Sequence, residues 1–232
     1  MTPPASSAVD PSGLAVLVSG GLDSAVLLAE ALLTRAPVQP LYIHCGLFWE
    51  PAELDHLRRF LAAVAAPALR PLHVLEMPVR DLYPPHWSLT GEGTPGADAP
   101  DEAVFLPGRN VLLLSKAMLW CSLHGFSELA LAPLESNPFP DATPDFFAAF
   151  EAVVNRAVGG RVRVVQPYLR LHKEDVIRRG RDLPLELTFS CIRPRNGRHC
   201  GVCNKCAERR RAFREAGAPD RTPYHTELPC SA

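Results

Sequence analysis

Apolar positions along the chain fall into two alternating patterns. Residues 14–18 (Leu-Ala-Val-Leu-Val) form a short unbroken apolar run that stops at Ser19-Gly20-Gly21. A strand apolar on both faces belongs in a buried parallel sheet. Over 23–35 the pattern changes: Ala25, Val26, Leu28, Ala29, Leu32 and Leu33 recur at helical spacing, with Pro37 just beyond, which predicts a helix. A second strand is predicted at 38–44. Pro51 then opens a helix over 51–66, with Leu54, Leu57, Phe60, Leu61 and Val64 on one face. A third strand, 72–77, completes a β-α-β-α-β run. Strands joined by helices need right-handed crossovers and a parallel sheet covered on both faces.

Residues 78–108 break this rhythm. They hold Gly91, Gly93, Gly96, Gly108 and six prolines with no sustained period. So long a loop inside a compact domain is usually a lid or a substrate loop. The alternation resumes with a helix at 110–124, a strand at 128–132, a loop at 133–143, a helix at 145–158, a strand at 162–166 and a helix at 173–182. The fold class is therefore α/β, a doubly wound open parallel sheet.

Composition narrows the functional classes. With 232 residues, 47% apolar and 21% charged, the chain reads as one soluble domain with a small appendage. Its net charge of −1 gives no strong nucleic-acid signal and no general attraction to anionic membranes. No apolar stretch approaches a membrane span, and Met1 to Ser12 carries no secretory pattern. A cytoplasmic location is expected. Residues 1–12 read as a flexible N-terminal segment, 13–185 as a nucleotide-binding α/β domain, 186–217 as a metal-binding subdomain and 218–232 as a tail.

The first strand–helix joint reads Ser19-Gly20-Gly21-Leu22-Asp23-Ser24. Ligands of open parallel sheets bind beyond the carboxyl ends of the strands. Two glycines let backbone N–H groups approach an oxyanion, two hydroxyls add donors, and the helix N-terminus adds partial positive charge. Asp23 as a plain N-cap would explain part of this joint, but its place in the first βα turn favours phosphate. The Walker pattern and the G-x-G-x-x-G fingerprint are both absent.

Seven cysteines cannot all pair, and four of them follow C-x8-C-x2-C-x2-C: Cys191, Cys200, Cys203 and Cys206. Reduced thiols at this spacing point to metal. Structural zinc competes with an iron–sulfur cluster; the closing of four thiolates around one ion favours zinc. His199 is a spare donor beside Cys200. Cys45, Cys121 and Cys230 read as ordinary thiols. Arg193, Arg195, Arg198, Arg209, Arg210, Arg211 and Arg214 offer a basic patch, although Glu208 and Glu215 interleave as on a solvated helix face.

Ser-Gly-Gly-x-Asp-Ser is the signature of the PP-loop ATP pyrophosphatases, and with the C-terminal cysteines the chain resembles the 7-cyano-7-deazaguanine synthase family of the queuosine pathway. Phe105-Leu106-Pro107-Gly108-Arg109-Asn110 looks like that family's F-[VL]-P-G-R-N, and Leu171-His172-Lys173-Glu174 resembles its lysine segment. The resemblance covers residues 14–213. It implies an adenine nucleotide alpha hydrolase-like fold with a zinc knuckle, and an ATP-dependent C–N ligase. The implied reaction takes 7-carboxy-7-deazaguanine, ammonia and ATP to the nitrile, by adenylation of the carboxylate, amide formation and a second activation. ATP would be bound by Ser19, Gly20, Gly21, Leu22, Asp23 and Ser24, with Asp23 contacting Mg²⁺ and Lys173 facing phosphates. Arg109 would neutralise phosphate or substrate carboxylate. Phe105 and Trp49 would line the substrate site, and Glu135 or Asp141 would accept from guanine-like N–H groups. The implied partners are the deazaguanine carboxylate and ammonia, with a homodimer as the expected assembly.

Two segments depart from the family pattern. His44-Cys45-Gly46-Leu47-Phe48-Trp49-Glu50 replaces an aromatic-x-Q-[RK]-H motif, and in 131–142 Asn137 replaces an acid. These leave open a relative that passes a deazapurine or other carboxylate to a different amine, and a tRNA-modifying PP-loop enzyme. A non-catalytic nucleotide-binding module would explain the loop but not Lys173, Arg109 and the cysteines together.

Overall fold

The computed structural model describes residues 13–83 and 85–225. The N-terminal segment 1–12 and the end of the tail, with Cys230, lie outside the described residues. Five parallel strands build the sheet: β1 (Leu14–Leu17), β2 (Val38–His44), β3 (His73–Glu76), β4 (Glu128–Ala130) and β5 (Arg163–Val165). Their order is β3-β2-β1-β4-β5. In register, Leu14 lies beside Val38 on β2 and Ala15 beside Leu129 on β4. The chain runs outward from β1 to β3, then crosses to β4 on the other side of β1. That reversal creates a crevice at the carboxyl ends of β1 and β4.

Both faces of the sheet are covered, as continuous apolar strands require. Ala15, Leu41, Ile43 and Leu129 share one core with Leu114, Ala117 and Met118 of α4 (Arg109–His124) and Phe147 of α5 (Pro144–Val158). Leu14, Val16 and Val18 face the other core. It is closed by Val26 and Leu28 of α1 (Leu22–Thr34), Leu57 and Phe60 of α2 (Glu50–Ala63), Val176 of α6 (Lys173–Arg179) and Phe213 of α7 (Asn204–Ala216). Every predicted strand and helix is present within a few residues. The second helix stops at Ala63 rather than 66, because Pro67 disfavours helical geometry just before it. The sixth stops at Arg179 rather than 182, capped by Gly180.

Residues 78–108, read as an open loop, are more ordered than that. They contain a one-turn helix α3 (Trp87–Thr90) and a 3-10 turn at Asp101–Val104. The segment is pinned to the cysteine-rich region: Asn204 donates from its backbone to Pro95 O at 3.0 Å and from Nδ2 to Ala99 O at 2.7 Å. Nor do residues 218–225 trail away as a tail. Thr222 is buried, and His225 N donates to His199 O at 2.7 Å. The four cysteines lie in the same core as the β1–β2–β4 side chains, so the cysteine-rich region packs as part of the sheet's own interior. No helix among the described residues is long and apolar enough to cross a membrane.

Gly180 shows how closely α6 and α1 approach. A Cβ there would stand 2.6 Å from Val26 Cγ2 and 3.1 Å from Leu185 Cδ2. Val26 is fully buried and its β-branched side chain is stiff, so the clash cannot be relieved by rotation. Gly180→Ala should destabilise the fold by about 1–3 kcal/mol. In urea the midpoint should fall with an unchanged slope; an unshifted midpoint would mean the two helices are free to part.

Candidate functional site: the crevice beyond β1 and β4

The segment after β1 turns sharply into α1. Gly20 has φ +73°, and a Cβ on it would press to 3.1 Å from Glu53 O, so glycine is required by both conformation and space. Ser19 and Ser24 face each other across the turn, with their hydroxyls 3.3 Å apart and Ser19 N donating to Ser24 Oγ at 3.2 Å. The N-cap of α1 is Gly21 and no side chain caps it. Asp23 is therefore not an N-cap, and the first-turn N–H groups remain open toward the crevice. The Asp23 carboxylate turns instead to Lys173 at the start of α6, with Nζ–Oδ2 at 3.2 Å. Its other oxygen, Oδ1, is buried with no hydrogen-bond partner.

Two adjoining cavities occupy the crevice. One, of about 200 Å³, is lined by Ser19, Asp23, Ser24, Arg109, Asn110 and Phe147 among others. The second, of about 160 Å³, is lined by Asp23, Asn137, Phe139, Lys173, Lys205 and Glu208 among others. Asp23, Ala132, Pro133 and Asn137 border both. Arg109 sits at the first position of α4, following Gly108 with φ +73°. Its guanidinium lies 5.9 Å from the centroid of the Trp49 ring, a cation–π contact, and its Nε is buried without a partner. A surface arginine paired to an acid would not leave that donor idle.

The structure brings together the phosphate-loop residues, Arg109 and Lys173, but none of Trp49, Phe105, Glu135 and Asp141 lines either cavity. Trp49, expected to stack on a ring, is buried against Trp87 with centroids 5.8 Å apart; it reaches the site through Arg109. Phe105 stacks on Phe139 at 5.0 Å, and Phe139 forms the cavity wall. Glu135 is exposed and meets His172 Nε2 at 3.5 Å. Asp141 accepts the Asn110 N–H at 3.0 Å on Oδ2, while Asn110 Nδ2 donates to Asp141 O at 2.9 Å. It fixes the start of α4 and hence Arg109.

The site also contains residues that sequence reasoning missed. Glu208 on α7 accepts from Lys173 at 2.6 Å and from Lys205 at 2.6 Å. Against the opposing effect of burial, the two lysines hold its carboxyl down to about 2. Lys173 is raised, although burial opposes that, by Asp23 and Glu208. Both groups therefore stay charged throughout the neutral range. Under the phosphate loop, Glu53 accepts from Tyr42 Oη at 2.7 Å. Burial pushes Glu53 up to about 8 against Arg109 and hydrogen bonds from Tyr42 and Trp49. Neither helix α2 nor helix α7 announces these roles, because an inward acid looks like any other polar position in a helical pattern.

Cys191, Cys200, Cys203 and Cys206 meet in one buried cluster, every sulfur within 4.8 Å of every other. A tetrahedron with ~2.3 Å metal–sulfur bonds has edges of ~3.8 Å; the Cys191–Cys203 and Cys200–Cys206 separations are both 3.9 Å. Backbone N–H groups of Cys200 and Arg193 point at Cys191 Sγ at 3.2 and 3.3 Å, as suits a thiolate. The set can therefore hold one metal ion. A four-iron cluster, which spreads its cysteines over separate irons, needs a wider frame. His199 is not a ligand here: its Nε2 accepts the Ser190 N–H at 3.0 Å. Cys45 and Cys121 are buried thiols pushed by burial up to about 11 and about 12, which keeps them inert.

The seven arginines do not share one face: Arg195, Arg198, Arg211 and Arg214 are exposed, but Arg209 is turned inward. Arg209 is 1% exposed and donates to Thr222 Oγ1, Thr188 Oγ1, Ser190 Oγ and Leu185 O at 2.7–3.2 Å. Arg210 covers the Tyr224 ring at 3.9 Å. The solvated face read for α7 is present in Arg211, Arg214 and Glu215, while its other side is not solvated. Helix α7 turns Glu208 and Arg209 inward.

Glu53 yields a pH prediction. Its folded value of about 8 lies above its ordinary 4.5, so the folded state holds this proton more tightly than the unfolded chain. The associated stability is complete below about 4.5 and is lost as pH rises through about 8. The melting temperature should fall between about pH 5 and 8 and level off above, and Glu53→Gln, which has no proton to lose, should flatten that fall. Parallel curves for the two proteins would exclude a protonated Glu53.

The family model described as "Queuosine biosynthesis protein QueC" matches residues 14–217. The chain is 34% identical over 230 residues to a protein of Syntrophobacter fumaroxidans named 7-cyano-7-deazaguanine synthase, covering 90% of this chain and 94% of that one. A protein of the same name from Aromatoleum aromaticum is 34% identical over 227 residues, covering 93% and 99%. One from Methanothrix thermoacetophila is 33% identical, covering 90% and 96%. A phosphate-loop crevice and a four-cysteine cluster built into one core are thus found in a chain that belongs to the QueC family of queuosine biosynthesis proteins.

Proposed function

We propose that this chain makes 7-cyano-7-deazaguanine from 7-carboxy-7-deazaguanine and ammonia, using ATP to adenylate the carboxylate. The observation that carries the reading is the convergence, in one crevice of a QueC-family chain, of the Ser19–Ser24 turn, Arg109 and the Lys173–Asp23 pair. No nucleophile–base pair is needed, because the activated acyl group is attacked by ammonia itself. The protein's work is positioning and charge stabilisation.

In this reading the open N–H groups of α1 and the hydroxyls of Ser19 and Ser24 bind the leaving diphosphate, and Lys173 balances its charge. Arg109, whose Nε has no other partner, takes the substrate carboxylate or the α-phosphate at the opposite wall. Magnesium, when bound, neutralises phosphate charge, and the orphaned buried Asp23 Oδ1 is the oxygen suited to it. The four cysteines would hold zinc in a closed four-coordinate site that supports folding and performs no chemistry. The departing 44–50 segment is internally satisfied: Glu50 accepts the N–H groups of Cys45, Gly46 and Leu47 at 2.7–3.1 Å. This favours a loop rebuilt around its own carboxylate over one reshaped for a new acyl acceptor.

Incubation with 7-carboxy-7-deazaguanine, ammonium and magnesium ATP should release AMP and pyrophosphate. Mass measurement should find first the amide and then the nitrile. Asp23→Ala and Ser24→Ala should abolish pyrophosphate release while retaining the circular dichroism and melting transition of the parent. ADP with phosphate in place of AMP would overturn the reading, and adenylation that stalls before the nitrile would favour a different acceptor amine.

Elemental analysis should find about one zinc per chain. Its removal by a chelator should unfold the 186–217 region and loosen the 95–101 segment hydrogen-bonded to Asn204. Iron with inorganic sulfide would refute the zinc assignment.

A further inference from the structure

Lys205 lies between two metal-ligand cysteines, yet its side chain turns toward the crevice. Its Nζ lies 2.6 Å from Glu208 Oε2, and Lys173 Nζ lies 2.6 Å from Glu208 Oε1. Lys173 in turn meets Asp23 at 3.2 Å. Asp23, Lys173, Glu208 and Lys205 therefore form one chain of alternating charge from the phosphate loop to the cysteine-rich helix. All four line the second cavity, where Lys173 and Lys205 are the only cationic side chains. Asp101 also lines it and is held at 3.4 Å by Asn204 Nδ2. Two ammonium groups with three carboxylates suit a magnesium-bound polyphosphate better than a bare anion. The buried, unpartnered Asp23 Oδ1 is an independent sign that something is missing from this cavity.

We propose that Lys205 is a second cationic contact for the leaving diphosphate, and that Glu208 is a positioning residue holding Lys173 and Lys205 side by side. The proposal rests on the ATP-dependent reading above and assigns the second cavity, together with the adjoining Ser19–Ser24 edge of the first, to the diphosphate end of the nucleotide. The rest of the first cavity, with Ile43, Leu113 and Phe147 in its wall, is left to a planar ring. A simple i, i+3 ion pair on a helix is the competing account of Lys205. Two facts oppose it. Glu208 is already neutralised by Lys173, and Lys205 is only 27% exposed.

The test compares Lys205→Met and Lys205→Arg with the parent protein, using calorimetric titration with magnesium pyrophosphate and steady-state kinetics in ATP. Metal content and melting temperature report on the fold. One charge-assisted contact predicts about tenfold weaker pyrophosphate binding in Lys205→Met. KM for ATP should rise by a similar factor, kcat should change little, and Lys205→Arg should recover most of the loss. Unchanged pyrophosphate affinity and KM in Lys205→Met would overturn the proposal while leaving the ATP-dependent reading intact. Equal losses in the Met and Arg variants, with a lowered melting temperature, would also overturn it, by showing a structural role. A parent protein that neither binds pyrophosphate nor releases it from ATP would overturn both.

Discussion

A buried arginine without a carboxylate partner organises this molecule. An isolated charge in a protein interior is costly unless its donors are satisfied and a counter-charge is near. Arg209 meets the first condition with four oxygens of Thr222, Thr188, Ser190 and Leu185. For the second, the nearby negative groups are Asp220, Cys206 of the neighbouring cysteine cluster and Asp23. The oxygens Arg209 gathers belong mostly to residues 185–190. That segment touches the phosphate loop directly, with Phe189 N donating to Gly20 O at 2.7 Å. The cysteine cluster, a single arginine and a turn of chain therefore set the height of the Ser19–Ser24 loop.

Helix α7 has two further contacts of this kind. At its first residue, Asn204 ties down the 95–101 segment, which leads toward Gly108 and Arg109. One turn later, Glu208 collects Lys173 and Lys205. Three elements of the site, far apart in the chain, thus depend on one helix that carries Cys206 of the four-sulfur cluster. A metal held by those sulfurs would act on the proposed chemistry through position alone, because positioning errors of an ångström are expensive in rate.

The readable parts of this architecture were those written within a few residues of one another. The strand and helix periods, the Ser19–Ser24 turn and the C-x8-C-x2-C-x2-C spacing are local patterns, and local patterns survive in a bare sequence. Arg209, Glu208, Lys205 and Glu53 were not legible as site residues, because their meaning lies in what the fold brings opposite them. Trp49 shows the converse case. An aromatic at a strand end suits a ligand ring and a core equally in the sequence, and its contact with Trp87 comes from a segment without regular period. For Asp141 and Glu135 the sequence offers two short acids beside a crevice, and only the fold shows that one fixes a helix start and the other meets His172 at the surface.

Two of the buried polar atoms left without a partner belong to residues that line the crevice. Most buried polar groups in a native structure find partners, and an orphaned one costs about 1–3 kcal/mol. Asp23 Oδ1 and Arg109 Nε are both orphaned, and both border the larger cavity. Each residue is also held in place by a neighbour: Lys173 for Asp23, and Trp49 beside Arg109. A chain selected for stability alone would have paired these atoms with each other or with water. Holding them apart and rigid across an open crevice stores a cost that only a bound group carrying both cationic and anionic character can relieve. A magnesium polyphosphate joined to a carboxylate, the ligand proposed above, would be such a group, and the same preorganisation that weakens the empty fold would then favour the charge developed in the transition state.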